Sequence, residues 1–218
     1  MKKSAFTLIE LVFVIIVLGI LASVAMDRTD RDLKQEASDT VLSYIRLAQQ
    51  LALNDNKHRI DNDPKWQKSY WRFEYRKCNG EPFESIRVGS DIDMDGSIDK
   101  SESAVDPSNG KYIYTNGDCI DLADDESPAV MILRKTGVAS ITKDGGCAGD
   151  SPEYILFDYL GRPHYGSYDS PFFQNIMQED CNITFHMSTD QDNDGNLDSF
   201  TITIEAQTGR SYIVGEDY

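Results

Sequence analysis

The chain opens with an apolar run that holds one carboxylate, and that run constrains everything behind it. Met1-Lys2-Lys3-Ser4-Ala5 precedes a stretch from Phe6 to Met26 interrupted only by Thr7, Glu10, Gly19 and Ser23. As a helix, this length spans roughly the 30 Å hydrocarbon core of a bilayer. Two lysines before it and acidic residues after it predict a cytoplasmic N-terminus and a domain on the far side of the membrane. A cleaved secretory signal also starts with lysines and an apolar run. Glu10 separates the two readings. A carboxylate inside hydrocarbon is costly unless it meets a partner, so such a residue marks a function.

Behind this run the apolar residues Leu33, Ala37, Val41, Tyr44, Ile45, Ala48 and Ala52 recur at helical intervals, with Leu42, Leu47, Leu51 and Leu53 widening the stripe. Phe6 to about Leu53 is therefore predicted as one long helix, ended by Asn54-Asp55-Asn56. The pattern then changes to short runs separated by turn residues. Trp71, Phe73 and Tyr75 alternate with Arg72, Glu74 and Arg76, as in a half-buried strand. Val130–Leu133 and Val138–Ile141 flank Gly137 like a hairpin, and further strands are expected at Tyr154–Phe157, Ile183–Phe185, Phe200–Ile204 and Ser211–Val214. A long N-terminal helix, membrane-embedded in its first half and packed on an antiparallel β-sheet domain, is an α+β class. The divisions expected are residues 1–5, the apolar helix 6–26, the amphipathic helix 27–55, and a β-rich domain over 56–218.

Charge decides which partners suit that domain. With 21 Lys+Arg against 37 Asp+Glu the formal net charge is -16, which repels phosphate backbones and opposes nucleic acid as a partner. The stretch from Lys65 to Lys77 mixes basic and aromatic residues as single-strand binders do. Its alternation serves a strand packed on a helix equally well. Cys78, Cys119, Cys147 and Cys181 are even in number, widely spaced and without a CxxC pair. Behind a membrane-targeting segment, this pattern predicts two disulfides in an oxidising compartment, with three connectivities open. His58, His164 and His186 lack zinc-ligand spacing and read as surface or turn residues. No nucleophile motif supports an enzyme.

Two acidic loops carry the most specific chemistry. Asp91, Asp93 and Asp95 stand at positions 1, 3 and 5 of a loop with Gly96 at 6, Ser97 at 7, Asp99 at 9 and Glu102 at 12. Those are the oxygen donors and the turn glycine that a Ca²⁺ loop requires. Five acidic groups this close also repel one another without a cation. The second loop, Asp190, Asp192, Asp194, Gly195, Asn196 and Asp198, repeats the core but has Thr201 at position 12. One or two structural Ca²⁺ ions are expected, Asp198 closing the second site in place of the missing glutamate. The flanking sequence reads as strand and loop, not as an EF-hand helix pair.

Ser4-Ala5-Phe6-Thr7-Leu8-Ile9-Glu10-Leu11 resembles the processing motif of type IV prepilins and type II secretion pseudopilins. The resemblance implies a leader over residues 1–5, cleavage by a prepilin peptidase between Ala5 and Phe6, and N-methylation of Phe6. It also implies that Glu10, fifth in the mature chain, pairs with the terminal amine of a neighbouring subunit. Two letters depart from the family: Ala5 stands where Gly is usual, and Asp27 lies near the usual kinking proline. Arg46–Asp55 and the Gly-Arg turns at Gly161-Arg162 and Gly209-Arg210 resemble the H-type minor pseudopilins. The function implied is a structural subunit, anchored in the bacterial inner membrane with a periplasmic domain and assembled into a filament. Its implied partners are other pilin-like subunits, the peptidase and the inner-membrane assembly platform. A type II secretion pseudopilus is the first choice of machine. The alternative is a minor type IV pilin that serves adhesion or DNA uptake as a binding module.

Overall fold

The computed structural model describes residues 8–55, 66, 69–78, 83–117, 119, 121–149, 153–166, 175–190 and 195–216. One helix, α1, runs unbroken over Leu8–Asn54. No proline interrupts it, so nothing removes a ladder hydrogen bond or forces a kink. It stops where Asn54 turns its side-chain Nδ2 back onto the Gln50 carbonyl, at 2.8 Å. The next residue, Asp55, accepts a hydrogen bond from the Trp71 indole at 2.7 Å, which sets the direction in which the chain leaves.

Eight strands follow: β1 (Trp71–Lys77), β2 (Phe83–Ser90), β3 (Val138–Gly145), β4 (Tyr154–Phe157), β5 (Pro163–His164), β6 (Cys181–Met187), β7 (Ser199–Ile204) and β8 (Ser211–Ile213). They form two four-stranded antiparallel sheets in the orders β2-β1-β4-β5 and β3-β6-β7-β8. The second half of α1 touches strands of both. Its buried stripe of Ala37, Val41, Ile45 and Ala48 is completely covered. Burial of side chains the size of Val41 and Ile45 contributes about 1.5–3 kcal/mol each. Within the second sheet Phe185 stacks on Phe200 with centroids 4.8 Å apart, and Tyr75 of the first sheet meets Phe185 edge-on at 6.5 Å, joining the two sheets. The fold is therefore α+β, helix against antiparallel sheet, as the periodicities indicate.

Both expected disulfides form, as Cys78–Cys119 and Cys147–Cys181. Each pins a connection to the sheet that precedes or follows it: Cys78 follows β1, and Cys181 opens β6.

Three expectations need correction. Residues 130–133 are not the first arm of a hairpin. Pro128–Met131 is a 3₁₀ turn that leads into a short helix, α2 (Ile132–Thr136). Ser127 caps the turn, and Gly137 ends α2 in the left-handed region at φ 74°, so glycine serves as a helix C-cap. β3 then finds its partner far along the chain, in β6. Nor is β1 half-buried: Arg72 and Glu74 are buried along with Phe73 and Tyr75, because residues 91–98 and Thr115 lie against the charged face of the sheet. His164, finally, is neither a surface nor a loose turn residue. It is 1% exposed and its Nε2 lies 3.0 Å from Asp158 Oδ2. His186 is half-buried beside Thr142 at 3.0 Å, and His58 lies outside the described residues.

Candidate functional site

The two ends of α1 have opposite surroundings. From Leu8 to Ser23 every residue is exposed, including Leu8 at 81% and Phe13 at 68%. A helix apolar on all sides is stable only when something apolar surrounds it. Glu10 lies in the first turn on this segment. Ala5 and Phe6 lie outside the described residues. Among the described residues no helix is long and apolar enough to cross a membrane; the stretch whose side chains are described ends at Ser23, short of the about 20 residues a span needs.

The other half of α1 is fastened to the domain by polar contacts as well as by its core stripe. Tyr44 donates to Asp106 Oδ2 at 2.7 Å. Asp106 is 2% exposed and also accepts from Ser127 Oγ at 2.5 Å, from Ser108 Oγ at 2.7 Å and from Asn109 Nδ2 at 3.1 Å. Burial alone would raise its pKa, but the bonds from Ser127, Ser108 and Tyr44 outweigh it and hold the group down to about 2. Burial and the Asp106 bond push the Tyr44 phenol well above its ordinary range. Arg46 donates twice to the Ser211 carbonyl, and Gln49 Nε2 donates to both the Gly161 and Thr208 carbonyls at 2.9 and 2.7 Å.

Gln49 thereby ties together the two Gly-Arg turns. They sit back to back: a Cβ on Gly209 would lie 2.3 Å from the Gly161 carbonyl oxygen. Both glycines have left-handed backbone, at φ 74° and 67°. Inside the first turn, Asp158 binds Arg162 and His164. Those hydrogen bonds lower its pKa against the opposing effect of burial.

The first acidic loop lies on the face of the first sheet remote from α1. Asp91, Asp93 and Asp95 bring carboxylate oxygens within 4.8 Å of one another, Asp91 buried and the other two exposed. Asp91 is held by the N–H groups of Asp95 at 3.1 Å and Gly96 at 2.9 Å. Burial raises its pKa, opposed by the Gly96 N–H and by Arg72. Asp95 accepts from the backbone and hydroxyl of Ser97, which lower its pKa. Gly96 takes φ 100°, so the sharp turn at position 6 is made where only glycine is unstrained. Glu102 reaches back across the loop, accepting from Ile92 and Asp93 through Oε1 and from Asp99 through Oε2. Ser97 and Asp99 remain exposed. All the donors are hard oxygens gathered on one short loop, which suits Ca²⁺ in preference to softer metals.

Beneath the loop lie charges that the sequence does not advertise. Arg72, 2% exposed, pairs with Glu74 at 3.3 Å and Asp91 at 3.5 Å. Arg87, 6% exposed, donates to the carbonyls of Ile98 and Thr115 at 2.9 and 2.5 Å and lies over the Tyr114 ring at 4.4 Å. Burial and neighbouring Arg76 lower its pKa to about 10, which leaves it charged at neutral pH. In the sequence Arg72 and Glu74 look like the wet face of an amphipathic strand.

At the second loop, Asp190 accepts from the Gly195 N–H at 3.0 Å. Asn196 and Asp198 are described, while Asp192 and Asp194 lie outside the described residues. The loop joins β6 to β7, with the Asp198 N–H bonded to the Thr189 carbonyl and its own carbonyl accepting from Met187.

Comparison with known proteins bears on the N-terminal end. Residues 1–26 match the family model of the prokaryotic N-terminal methylation motif. This is the type IV prepilin-like signature. It includes Ala5, Phe6 and Glu10. No curated protein and no solved structure matches the chain. The pilin-like motif thus covers the exposed half of α1 and leaves the domain's specialisation to its own geometry.

Proposed function

We propose that this protein is a structural subunit, a minor pseudopilin of a type II secretion pseudopilus, cleaved between Ala5 and Phe6, methylated on Phe6 and assembled through its N-terminal helix. One observation carries the reading: a continuous 47-residue helix whose first part exposes apolar side chains all round and a single carboxylate. Before assembly the bilayer covers that surface, with the N-terminus cytoplasmic and the domain periplasmic. After assembly, neighbouring helices cover it, and Glu10 is neutralised by the adjacent subunit's terminal amine. Prepilin peptidase and the inner-membrane platform are the partners this route requires. The paired Gly-Arg turns under Gln49 favour an H-type minor subunit. The domain's function is then presentation, and catalysis has no place in it.

Ca²⁺ fits the first loop, where Asp91, Asp93, Asp95, the Ser97 carbonyl, Asp99 and Glu102 would hold it. The ion would offset like charges above the buried Arg72 and stiffen residues 91–102. The second loop would hold a weaker ion through Asp190, Asp192, Asp194, Asn196 and Asp198. EGTA is expected to lower the melting temperature of the full chain, with most of the loss absent in Asp93→Ala, Asp95→Ala. An unchanged melt would return both loops to solvated turns.

For the type IV pilin alternative the basic-aromatic strand is the face to test: Arg72 lies inside at 2% exposure, while Trp71, Arg76 and Lys77 are half-exposed. Glu10→Ala is the test of the filament reading. The variant is expected to be processed and folded but missing from sheared filaments. Normal incorporation would remove the role given to Glu10. Lost secretion with intact surface pili would identify the machine.

A further inference from the structure

Beside the first acidic loop lies an open groove of about 500 Å³, lined by Asp99, Lys100, Ser101, Tyr112, Tyr114 and Asp125. We propose that this groove binds a neutral saccharide, an activity separate from filament assembly and independent of it.

The groove is built, not incidental. Ile113 is completely buried while Tyr112 and Tyr114 on either side are half-exposed. Both tyrosines line the same groove, one on either side of that buried residue. The backbone beneath is held on both sides. Tyr112 N–H donates to the Asp125 carbonyl and its carbonyl accepts from Ser127, both at 2.8 Å. Ile113 N–H donates to Ala104 at 2.8 Å and its carbonyl accepts from Val88 at 3.3 Å. The buried Arg87 guanidinium lies over the Tyr114 ring, fixing it from the protein side. A ring held in this way loses little entropy when a ligand stacks on it.

Polar groups of both kinds border the rings. Lys100 is neutralised by Asp125 at 2.5 Å and Glu126 at 3.1 Å, so the groove offers ammonium, phenol and hydroxyl donors beside carboxylate acceptors without a dominant cation. The chain's net charge of -16 turns away phosphates and acidic polymers. A lysine already seated between two carboxylates competes with a cationic peptide for the same acceptors. A sugar ring matches what remains: C–H faces for the tyrosines, and hydroxyls that donate and accept around the rim. The volume lies within the ordinary range of small-ligand sites.

The test uses the full chain in a zwitterionic, sugar-free detergent with calcium present. Saturation-transfer difference NMR is run against glucose, galactose, mannose and N-acetylglucosamine in turn. At least one sugar is expected to receive saturation at its ring protons. Tyr112→Ala should weaken that binding about tenfold, Tyr112→Phe should largely keep it, and Asp125→Asn should weaken it with an unchanged melt. Because Tyr114 supports Arg87, a Ser101→Trp variant, which fills the groove from its exposed rim, replaces Tyr114 as the second blocking change. No transfer to any of the four sugars, or equal transfer to wild type, Tyr112→Ala and Ser101→Trp, overturns the assignment. So does tyrosine-dependent binding of an oligolysine peptide in place of sugar.

Discussion

The two halves of α1 share a backbone and differ in everything that surrounds it. Leu8 to Ser23 is exposed on all faces, whereas Ala37 to Ala52 presents one completely covered stripe and one polar face. Among the described residues nothing covers the apolar surface of the first half, so its stability depends on whatever apolar surroundings it meets. The second half has two sheets, and its stability belongs to the domain. Substitutions in one half should therefore leave the property of the other untouched.

The widest separation is expected between Ile45→Ala and Ile15→Ala. Ile45 is completely buried, and its truncation should cost about 2–5 kcal/mol in thermal unfolding. Ile15→Ala should leave the domain's melt unchanged and weaken filament incorporation instead. Equal melting losses would show that the helix is one cooperative unit with a single environment.

Asp106 sharpens the same contrast through pH. Its folded pKa of about 2 is depressed below the ordinary 3.8, so its contribution is present above the unfolded value and is lost as pH falls towards 2. That contribution is about 2 kcal/mol. Acid titration of unfolding should show this loss in wild type, and Asp106→Asn should remove it while destabilising the protein at neutral pH. Assembly through residues 8–23 should be indifferent to the substitution. The smallest effect is expected from Gln49→Ala, about 1 kcal/mol. Hydrogen exchange should rise at Gly161 and Gly209, far from the acidic loop.

What could be read from the chain follows periodicity closely. The long helix, its end at Asn54, and most strands came from spacing, because one buried face imposes a period whatever its partner is. Val130–Leu133 was misread because a short buried run has no period that separates strand from helix; the capping by Ser127 and Gly137 decides it. Arg72 and Glu74 were misread because alternation reports a difference between two faces, not which face meets water. Covering by residues 91–98 is a long-range event. Pairing of the cysteines was open for the same reason. At the acidic loop the spacing located the donors, while the arginines beneath it needed coordinates.

The disulfides acquire a further meaning from where they are absent. Cys78–Cys119 and Cys147–Cys181 both close loops inside the domain, and neither links the domain to α1. If a motor pulls on such a subunit, tension enters along the helix and passes to the domain first through the core stripe, Tyr44, Arg46 and Gln49, and beyond them through the backbone that follows Asn54. The crosslinks lie off that load path: they keep the carried domain in shape, while the joint that bears the pull can yield and re-form without breaking a covalent bond.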